Sequence, residues 1–178
     1  MTIRKLSLMI TFMAVMLAVL IWCYPTNSDF KSENPSWNGA RDLLDDFRVS
    51  PLSSLDVLSA APQESTLLVI PYMEFTTTDL ETLENYVSSG GKLVVLDDYG
   101  FGNDILEHLK IETRFTGNQL LDTLFNYKNE NFPKIINFVS EPATSGIENL
   151  VSNHATSLEN VPQDNIIAWS SYFSFLMK

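Results

Sequence analysis

The chain has 178 residues, of which 22 are acidic and 11 basic, so its formal net charge is −11 at pH 7. A chain this acidic repels phosphate, which argues against nucleic acid or an anionic membrane surface as a partner. Its single cysteine excludes an intramolecular disulfide and any metal site built from several cysteines.

The N-terminal segment is predicted to span a membrane. Arg4 and Lys5 precede an uncharged run from Leu6 to Tyr24, which as a helix is about 30 Å long, the thickness of a bilayer's hydrocarbon core. Trp22 and Tyr24 suit the membrane–water interface. The basic residues before the run keep the N-terminus in the cytoplasm and send the remainder out of it.

Two alternatives to an uncleaved anchor stay open. A cleaved signal peptide has a shorter apolar stretch and small residues at its cleavage site, whereas this run ends in bulky side chains. A lipoprotein would carry its lipid on Cys23, but the preceding residue, Trp22, is larger than such a site expects.

The rest of the chain has the size of one domain. The predicted organisation is a cytoplasmic tail (residues 1–5), a transmembrane helix (6–24), a polar, turn-rich stalk (25–35) and an extracytoplasmic α/β domain (36–178).

The first helix of this domain is predicted over Trp37–Phe47, with Ser36 as its N-cap. Apolar residues recur at helical spacing and form one stripe: Ala40, Leu43, Leu44 and Phe47. Asp42, Asp45 and Asp46 lie off the stripe and indicate a solvated face.

The clearest unit is a strand, a helix and a second strand. Thr66–Ile70 and Lys92–Leu96 are short apolar runs, typical of parallel strands buried on both faces. Between them, Thr78 and Glu81 have capping-box spacing at a helix start. The predicted helix buries an apolar stripe of Leu80, Leu83 and Val87 and exposes Glu81 and Glu84. It is predicted to end at Gly90 and Gly91. This βαβ unit predicts an α/β fold with a partly parallel sheet.

Beyond Asp98 the pattern is weaker. It predicts a short helix over Asn103–Leu109 and strands over Ile111–Phe115, Lys134–Val139 and Ile166–Trp169.

Three blocks of residues resemble the domain-of-unknown-function 4350 family. They are Asn34–Gly39 (NPSWNG), Leu67–Leu106, in which Asp97–Asn103 is the most specific part, and the weaker block Ala168–Leu176. Together these blocks cover most of the chain from Asn34 to Leu176.

The resemblance implies a membrane-anchored protein with a three-layer sandwich. The implied fold is flavodoxin-like, similar to class I glutamine amidotransferases, with a mostly parallel sheet. Similar proteins usually continue past the last block, so a truncated sheet is expected. Working amidotransferases of that fold need a cysteine nucleophile on a strand-to-helix turn, and this chain has no such cysteine and no G-x-S-x-G replacement.

The loop after the second strand is the best candidate for a ligand site. Parallel sheets bind ligands beyond the carboxyl ends of their strands. Asp97 or Asp98 would hold a polar ligand or cation, Gly100 and Gly102 would let it approach the backbone, and Asn103 would cap the next helix. The structural alternative is a tight turn followed by a capped helix.

No other residues form a recognised catalytic or metal site. His108 lies in a predicted helix and His154 in a polar loop, without paired spacing or a nucleophile nearby. The hydroxyl cluster Ser170, Ser171 and Ser174 is typical of hydrogen-bonded structure. No catalytic residue, metal or cofactor is predicted.

Three functions follow as hypotheses. The first is a membrane-anchored, non-catalytic extracytoplasmic module that binds or scaffolds a protein or small ligand. The second is a hydrolase or transferase with Asp97 or Asp98 as general base. The third is an accessory subunit of a transporter or another membrane assembly. An enzyme needs a carboxylate of perturbed pKa in a pocket, whereas a scaffold needs an exposed apolar patch.

Overall fold

The computed structural model describes residues 3–24, 28–36, 38–47, 49–61, 64–98, 100–140 and 142–177. Trp37, Tyr99 and Lys178, which entered the sequence predictions, lie outside this range. The chain divides into two compact units, residues 1–53 and 54–178. The predicted limits of tail, stalk and domain stay predictions.

The first unit begins with helix α1, Ile3–Cys23, whose described side chains are exposed along its whole length. Its stretch Ile3–Trp22 has a mean hydropathy of 2.1 and is long and apolar enough to cross a membrane. The helix starts three residues before the predicted span and so includes Arg4 and Lys5.

The second helix of this unit, α2, spans Arg41–Phe47, and residues 38–40 are not helical, so the predicted helix begins too early and the predicted Ser36 N-cap is wrong. The reason is the buried side chain of Asn34, which organises the preceding residues into turns. Its Oδ1 accepts the backbone N–H of Ser36 at 2.9 Å, and its Nδ2 donates to the side chain of Asn38 at 3.0 Å. Residues already committed to these turns cannot join the helix.

The second unit contains the predicted βαβ element. Strand β1 is Thr66–Val69, helix α3 is Thr77–Ser88 and strand β2 is Lys92–Val95. The two strands are parallel, with Leu67 opposite Leu93. The prediction of a strand–helix–strand unit with parallel strands is therefore confirmed.

The capping box of α3 lies two residues earlier than predicted. Thr76 is the N-cap; its Oγ1 accepts the Asp79 N–H at 3.2 Å, and Asp79 Oδ2 accepts the Thr76 N–H at 3.1 Å. Asp79, at the third helical position, therefore takes the role expected of Glu81. Glu81 and Glu84 are exposed, as predicted.

The other end of α3 has the predicted glycine cap. Gly90 has a φ of 97°, in the left-handed region, and the Gly91 N–H reaches back to the Tyr86 carbonyl at 3.0 Å. A Cβ on Gly91 would lie 2.4 Å from the Tyr86 ring, so the ring packs directly on this turn. The Tyr86 hydroxyl donates to the Ser65 carbonyl at 2.7 Å, which joins α3 to the start of β1.

Helix α4, Gly102–His108, follows β2 and agrees with the predicted helix to within one residue at each end. Together with α3 and a 3₁₀ turn at Leu55–Ala60, it covers one face of the β1–β2 pair. The buried residues of this core are Leu58, Leu67, Leu83, Tyr86 and Ile105.

The opposite face of the β1–β2 pair is not buried, so the prediction of strands buried on both faces is wrong for β2. Val94 is 40% exposed and Leu96 48% exposed, whereas Leu93 and Val95, which point the other way, pack on the core. Side chains alternate across a strand, and the helices that pack on this pair meet only the face of Leu93 and Val95.

The remaining strands pair in an antiparallel manner. Their order is β10–β3–β8 in one sheet, β4–β5–β7 in a second and β6–β9 in a third. They are β3 Arg114–Asp122, β4 Asn126–Tyr127, β5 Asn129–Ile135, β6 Asn137–Phe138, β7 Leu150–Val151, β8 Thr156–Glu159, β9 Ala168–Trp169 and β10 Ser174–Leu176.

The protein is therefore mixed α/β, but the mostly parallel sheet expected from the sequence is not what the described residues form. Parallel pairing needs a crossover of a dozen or more residues, usually a helix, and after α4 the described chain has no further α-helix. Of the predicted strands, Ile111–Phe115 overlaps β3 only at its end, Lys134–Val139 is broken at Ile136, and Ile166–Trp169 is strand only at its last two residues.

Replacing Leu83 by alanine tests whether the α3 contact dominates this core. Leu83 is 1% exposed, so Leu83→Ala should lower the free energy of unfolding by about 2–5 kcal/mol. Leu124, which is 64% exposed, is the matched control, and Leu124→Ala should change it by less than about 0.5 kcal/mol. Urea denaturation measures both; equal effects would contradict this description of the core.

Candidate functional site

The carboxylate of Asp97 accepts hydrogen bonds from backbone N–H groups within the predicted ligand loop. Its two oxygens lie 3.1 and 3.0 Å from the Gly100 backbone nitrogen, and Oδ2 also accepts the Gly102 N–H at 2.7 Å. These bonds satisfy backbone donors at the start of α4. The described geometry is that of a turn leading into a helix, and a ligand role for Asp97 stays a prediction.

The two glycines of the loop have different structural roles. Gly100 has a φ of 98°, which favours glycine. Gly102 is buried, and a Cβ there would lie 2.9 Å from Asp97 Oδ2 and 3.0 Å from both the Phe115 ring and the Val95 side chain. The absence of a side chain at Gly102 therefore serves packing of the helix on the strands.

Asn103 joins this loop to the antiparallel part of the fold. Its Nδ2 donates to the Phe115 carbonyl at 2.9 Å, and its Oδ1 accepts the Phe115 N–H at 2.8 Å. The amide thus pairs with β3 as a neighbouring strand would. The N-cap position of α4 belongs to Phe101, so the prediction that Asn103 caps this helix is wrong.

Asp98 is a carboxylate of this loop whose pKa departs from its ordinary value. Burial raises its pKa, and the neighbouring charge of Asp97 raises it further, while its own backbone and the charge of His154 lower it. The net direction is upward. His154 belongs to a distant part of the sequence, and its electrostatic effect on Asp98 could not be read from the spacing of the two residues.

An open pocket of about 460 Å³ lies beside this loop, where the predicted site would face solvent. Of the predicted ligand residues, only Gly100 lines it. The other lining residues are Glu74, Phe75, Leu80, Phe101, Asp104, Glu107 and His108. Within the described part of the chain, no group of three metal-ligating side chains is close enough to hold a metal ion.

His108 connects two helices. Its Nε2 lies 2.9 Å from Glu84 Oε2, so the imidazole on α4 pairs with a carboxylate on α3. His154 contacts the neighbouring side chain of Asn153 and the edge of the Phe132 ring. The two histidines thus contact different partners.

The most completely bonded carboxylate of the described chain is Asp122, which the sequence analysis missed. Asp122 is fully buried at the end of β3. Its Oδ1 accepts the N–H groups of Leu124 and Phe125 at 2.9 and 2.7 Å. Its Oδ2 accepts the hydroxyl of Ser174 at 2.9 Å and that of Ser171.

These bonds decide the charge state of Asp122. Burial alone would raise its pKa, but the hydrogen bonds from Ser171, from the two backbone N–H groups and from Ser174 outweigh that effect and lower it. Two serines of the predicted cluster, Ser171 and Ser174, thereby attach the last strand to β3. The serines gave a signal in the sequence, whereas nothing there marked Asp122 as their partner.

Asp122→Asn tests this cluster. In asparagine only the amide oxygen accepts hydrogen bonds, so the donors that bonded the second carboxylate oxygen lose their acceptor. The free energy of unfolding at pH 7 should therefore fall by about 3 kcal/mol. Because folding lowers the pKa of Asp122, its contribution exists above the unfolded value, about 3.9, and is lost as pH falls through the folded value. Denaturation at several pH values should show the gap between wild type and variant closing in acid.

The control for this prediction is Asp164→Asn, because Asp164 is exposed on a 3₁₀ turn. It should change the free energy of unfolding by less than about 0.5 kcal/mol. A gap for Asp122→Asn that is absent at pH 7, or that stays constant down to pH 2, would contradict the role given to the carboxylate.

Comparison with known proteins gives a match to a family model. No curated protein and no solved structure matches the chain significantly. A family model described as a domain of unknown function, DUF4350, matches residues 32–163, which is well over half of the chain. The match begins at the Asn34 turn and extends through the βαβ unit into the antiparallel strands. The chain therefore belongs to the DUF4350 family.

Proposed function

We propose that this protein is a membrane-anchored, non-catalytic module that recruits a protein partner outside the cytoplasm. The observation that carries the proposal is the uncovered face of the β1–β2 pair. Parallel strands are normally covered on both faces, because their crossover connections place other elements there. Here Val94 and Leu96 lie about half exposed beside the half-buried Leu68 and Ile70.

The composition of this face fits a protein partner better than a solvated surface. The register places Leu68 beside Val94, and Ile70 and Leu96 continue the same face by strand alternation. Tyr72 and Met73, which follow Ile70 in the chain, are also exposed. Exposed apolar patches mark interaction sites in soluble domains.

The two alternatives have weaker support. A hydrolase or transferase with Asp97 as general base needs a free carboxylate, whereas the Asp97 oxygens accept backbone N–H groups of the loop. Asp98 keeps this alternative open because its pKa is raised. An accessory subunit of a transporter or another membrane assembly would use the same apolar face, with a membrane protein as its partner.

The proposal includes a membrane anchor and a relation to the class I glutamine-amidotransferase-like fold. Helix α1 would hold the chain in the membrane with Arg4 and Lys5 on the cytoplasmic side. The βαβ unit with α4 would correspond to part of a class I glutamine-amidotransferase-like sandwich, from which the catalytic cysteine is missing. The antiparallel strands would then replace the rest of its parallel sheet.

The orientation can be tested with cysteine labelling, because Cys23 is the only cysteine. In a Cys23→Ser chain, Ser28→Cys should react with a membrane-impermeant maleimide in intact cells, since residue 28 follows the span. Thr2→Cys in the same background should react only after lysis. The reverse pattern would contradict the orientation, and release of the chain by a carbonate wash would contradict the anchor itself.

Val94→Glu tests whether the uncovered face of the β1–β2 pair binds the partner. A charge at the centre of an apolar contact should reduce cross-linking of the partner at least tenfold, because the carboxylate would be buried unpaired. Val57→Glu is the matched control, since Val57 is 50% exposed on the 3₁₀ turn Leu55–Ala60 and lies off this face. Quantitative mass spectrometry of chemically cross-linked cells compares the two.

The expected result is a partner that is cross-linked to wild type and to Val57→Glu but reduced at least tenfold with Val94→Glu. Thermal unfolding would verify that both variants fold. Equal recovery with Val94→Glu and wild type, or the absence of any enriched protein, would contradict the proposal.

A further inference from the structure

A second apolar feature lies in the antiparallel part of the fold, away from the β1–β2 pair. It is a cavity of about 450 Å³ lined by residues of β3, β5 to β9 and the segments joining them. Leu120 and Ile135 lie at its walls and are buried. Four further apolar side chains that line it are 46–50% exposed, namely Leu150, Leu158, Ile167 and Trp169.

We infer that this cavity binds an uncharged, mainly apolar small molecule. Its volume falls within the range of about 300–1,000 Å³ that is typical of small-molecule sites. Most lining residues are aliphatic or aromatic, with a few hydroxyl and amide groups among them. This mixture of an apolar wall and a few polar groups is what such sites have in common.

The charge of the lining decides the class of ligand. None of the lining residues is ionisable, although the chain as a whole carries a net charge of −11. A charged ligand would lose its hydration in the cavity without gaining an opposite charge, which is strongly unfavourable. The field of the acidic chain also repels anions. An uncharged ligand avoids both costs.

Two hydroxyls of the lining, those of Thr156 and Ser157, already have hydrogen-bond partners within the protein. The Thr156 hydroxyl donates to the Asn118 carbonyl at 2.8 Å, and the Thr116 hydroxyl lies 3.3 Å from that of Ser157. Among the described residues, no buried side-chain nitrogen or oxygen lacks a hydrogen-bond partner. Recognition therefore depends on shape and apolar contact, which favours ring systems or alkyl chains over sugars and peptides.

The exposed apolar walls of this open cavity support an occupant. Leu158, Ile167 and Trp169 are 46–50% exposed, and an apolar molecule packed against them would remove part of that area from water.

Photolabelling of the full-length chain in liposomes tests the inference. The probe is 3-trifluoromethyl-3-phenyldiazirine, an uncharged aromatic compound that inserts where it is bound when illuminated. Peptide mass spectrometry should find label in residues 150–169, and label in α1 from the lipid phase serves as the internal reference.

Filling the cavity should remove the label. Ala168→Trp adds a large ring at a lining position and should reduce labelling of residues 150–169 at least fivefold relative to α1. Ala143→Trp is the matched control, since Ala143 is exposed and does not line the cavity, and it should leave the labelling unchanged. Undiminished label in a folded Ala168→Trp variant would overturn the inference.

Competition in the wild-type chain gives an answer that does not depend on folding of a variant. Excess 2-naphthalenemethanol, which is uncharged, should suppress the cavity label, whereas naphthalene-2-sulfonate should not. Equal competition by both would refute the preference for uncharged ligands. Absence of cavity label, or its loss together with dimer formation at high protein concentration, would show that no small molecule occupies the site.

Discussion

The coverage of the β1–β2 pair is the constraint on which the fold depends. Two parallel strands must be joined by a crossover, and a helix in the crossover can cover only one face. Helix α3 takes that face and is fixed there by Leu83, by the ring of Tyr86 and by the hydroxyl of Tyr86 on the Ser65 carbonyl. The other face is left for something else to cover.

The same constraint explains the loop after β2. With α3 already on the covered face, α4 must pack beside it, close to Val95 and Phe115. Gly102 provides the space, the Asp97 carboxylate bonds the first turn, and Asn103 pairs with β3. The loop residues that resemble a ligand site are thereby used to join the parallel unit to the antiparallel strands.

Buried polar groups hold the parts of the fold where apolar packing is thin. Asn34 organises the turns before α2, and Asp122 joins the end of β3 to the last strand through Ser171 and Ser174. Both side chains are fully buried and fully bonded. Such groups are costly to break because each would leave unsatisfied donors or acceptors in the interior.

The sequence predicted what local patterns determine. Periodicity and glycines located α3, both parallel strands and the turn at Gly90, because these features depend on neighbouring residues. The start of α2 was wrong because Asn34 acts through its side chain on residues farther along. The antiparallel strands were poorly predicted because most of their pairing joins residues far apart in the sequence.

The candidate site was likewise predicted only in part from the sequence. The position of the Asp97–Asn103 loop after a parallel strand followed from the sequence. The sequence also offered both interpretations of this loop, a ligand site and a tight turn. The use of Asp97 by backbone N–H groups, the influence of His154 on Asp98 and the bonding of Asp122 all needed the fold. The apolar cavity had no sequence signal, because its walls come from many strands.

The central claim is that a partner covers the apolar face of β1 and β2, and maleimide labelling of a single cysteine tests it most directly. Val94→Cys in a Cys23→Ser chain should react fast in the purified protein and at least tenfold more slowly in native membranes. Val57→Cys should react equally in both. Slow reaction of Val94→Cys in the purified protein, or fast reaction in native membranes, would contradict the account.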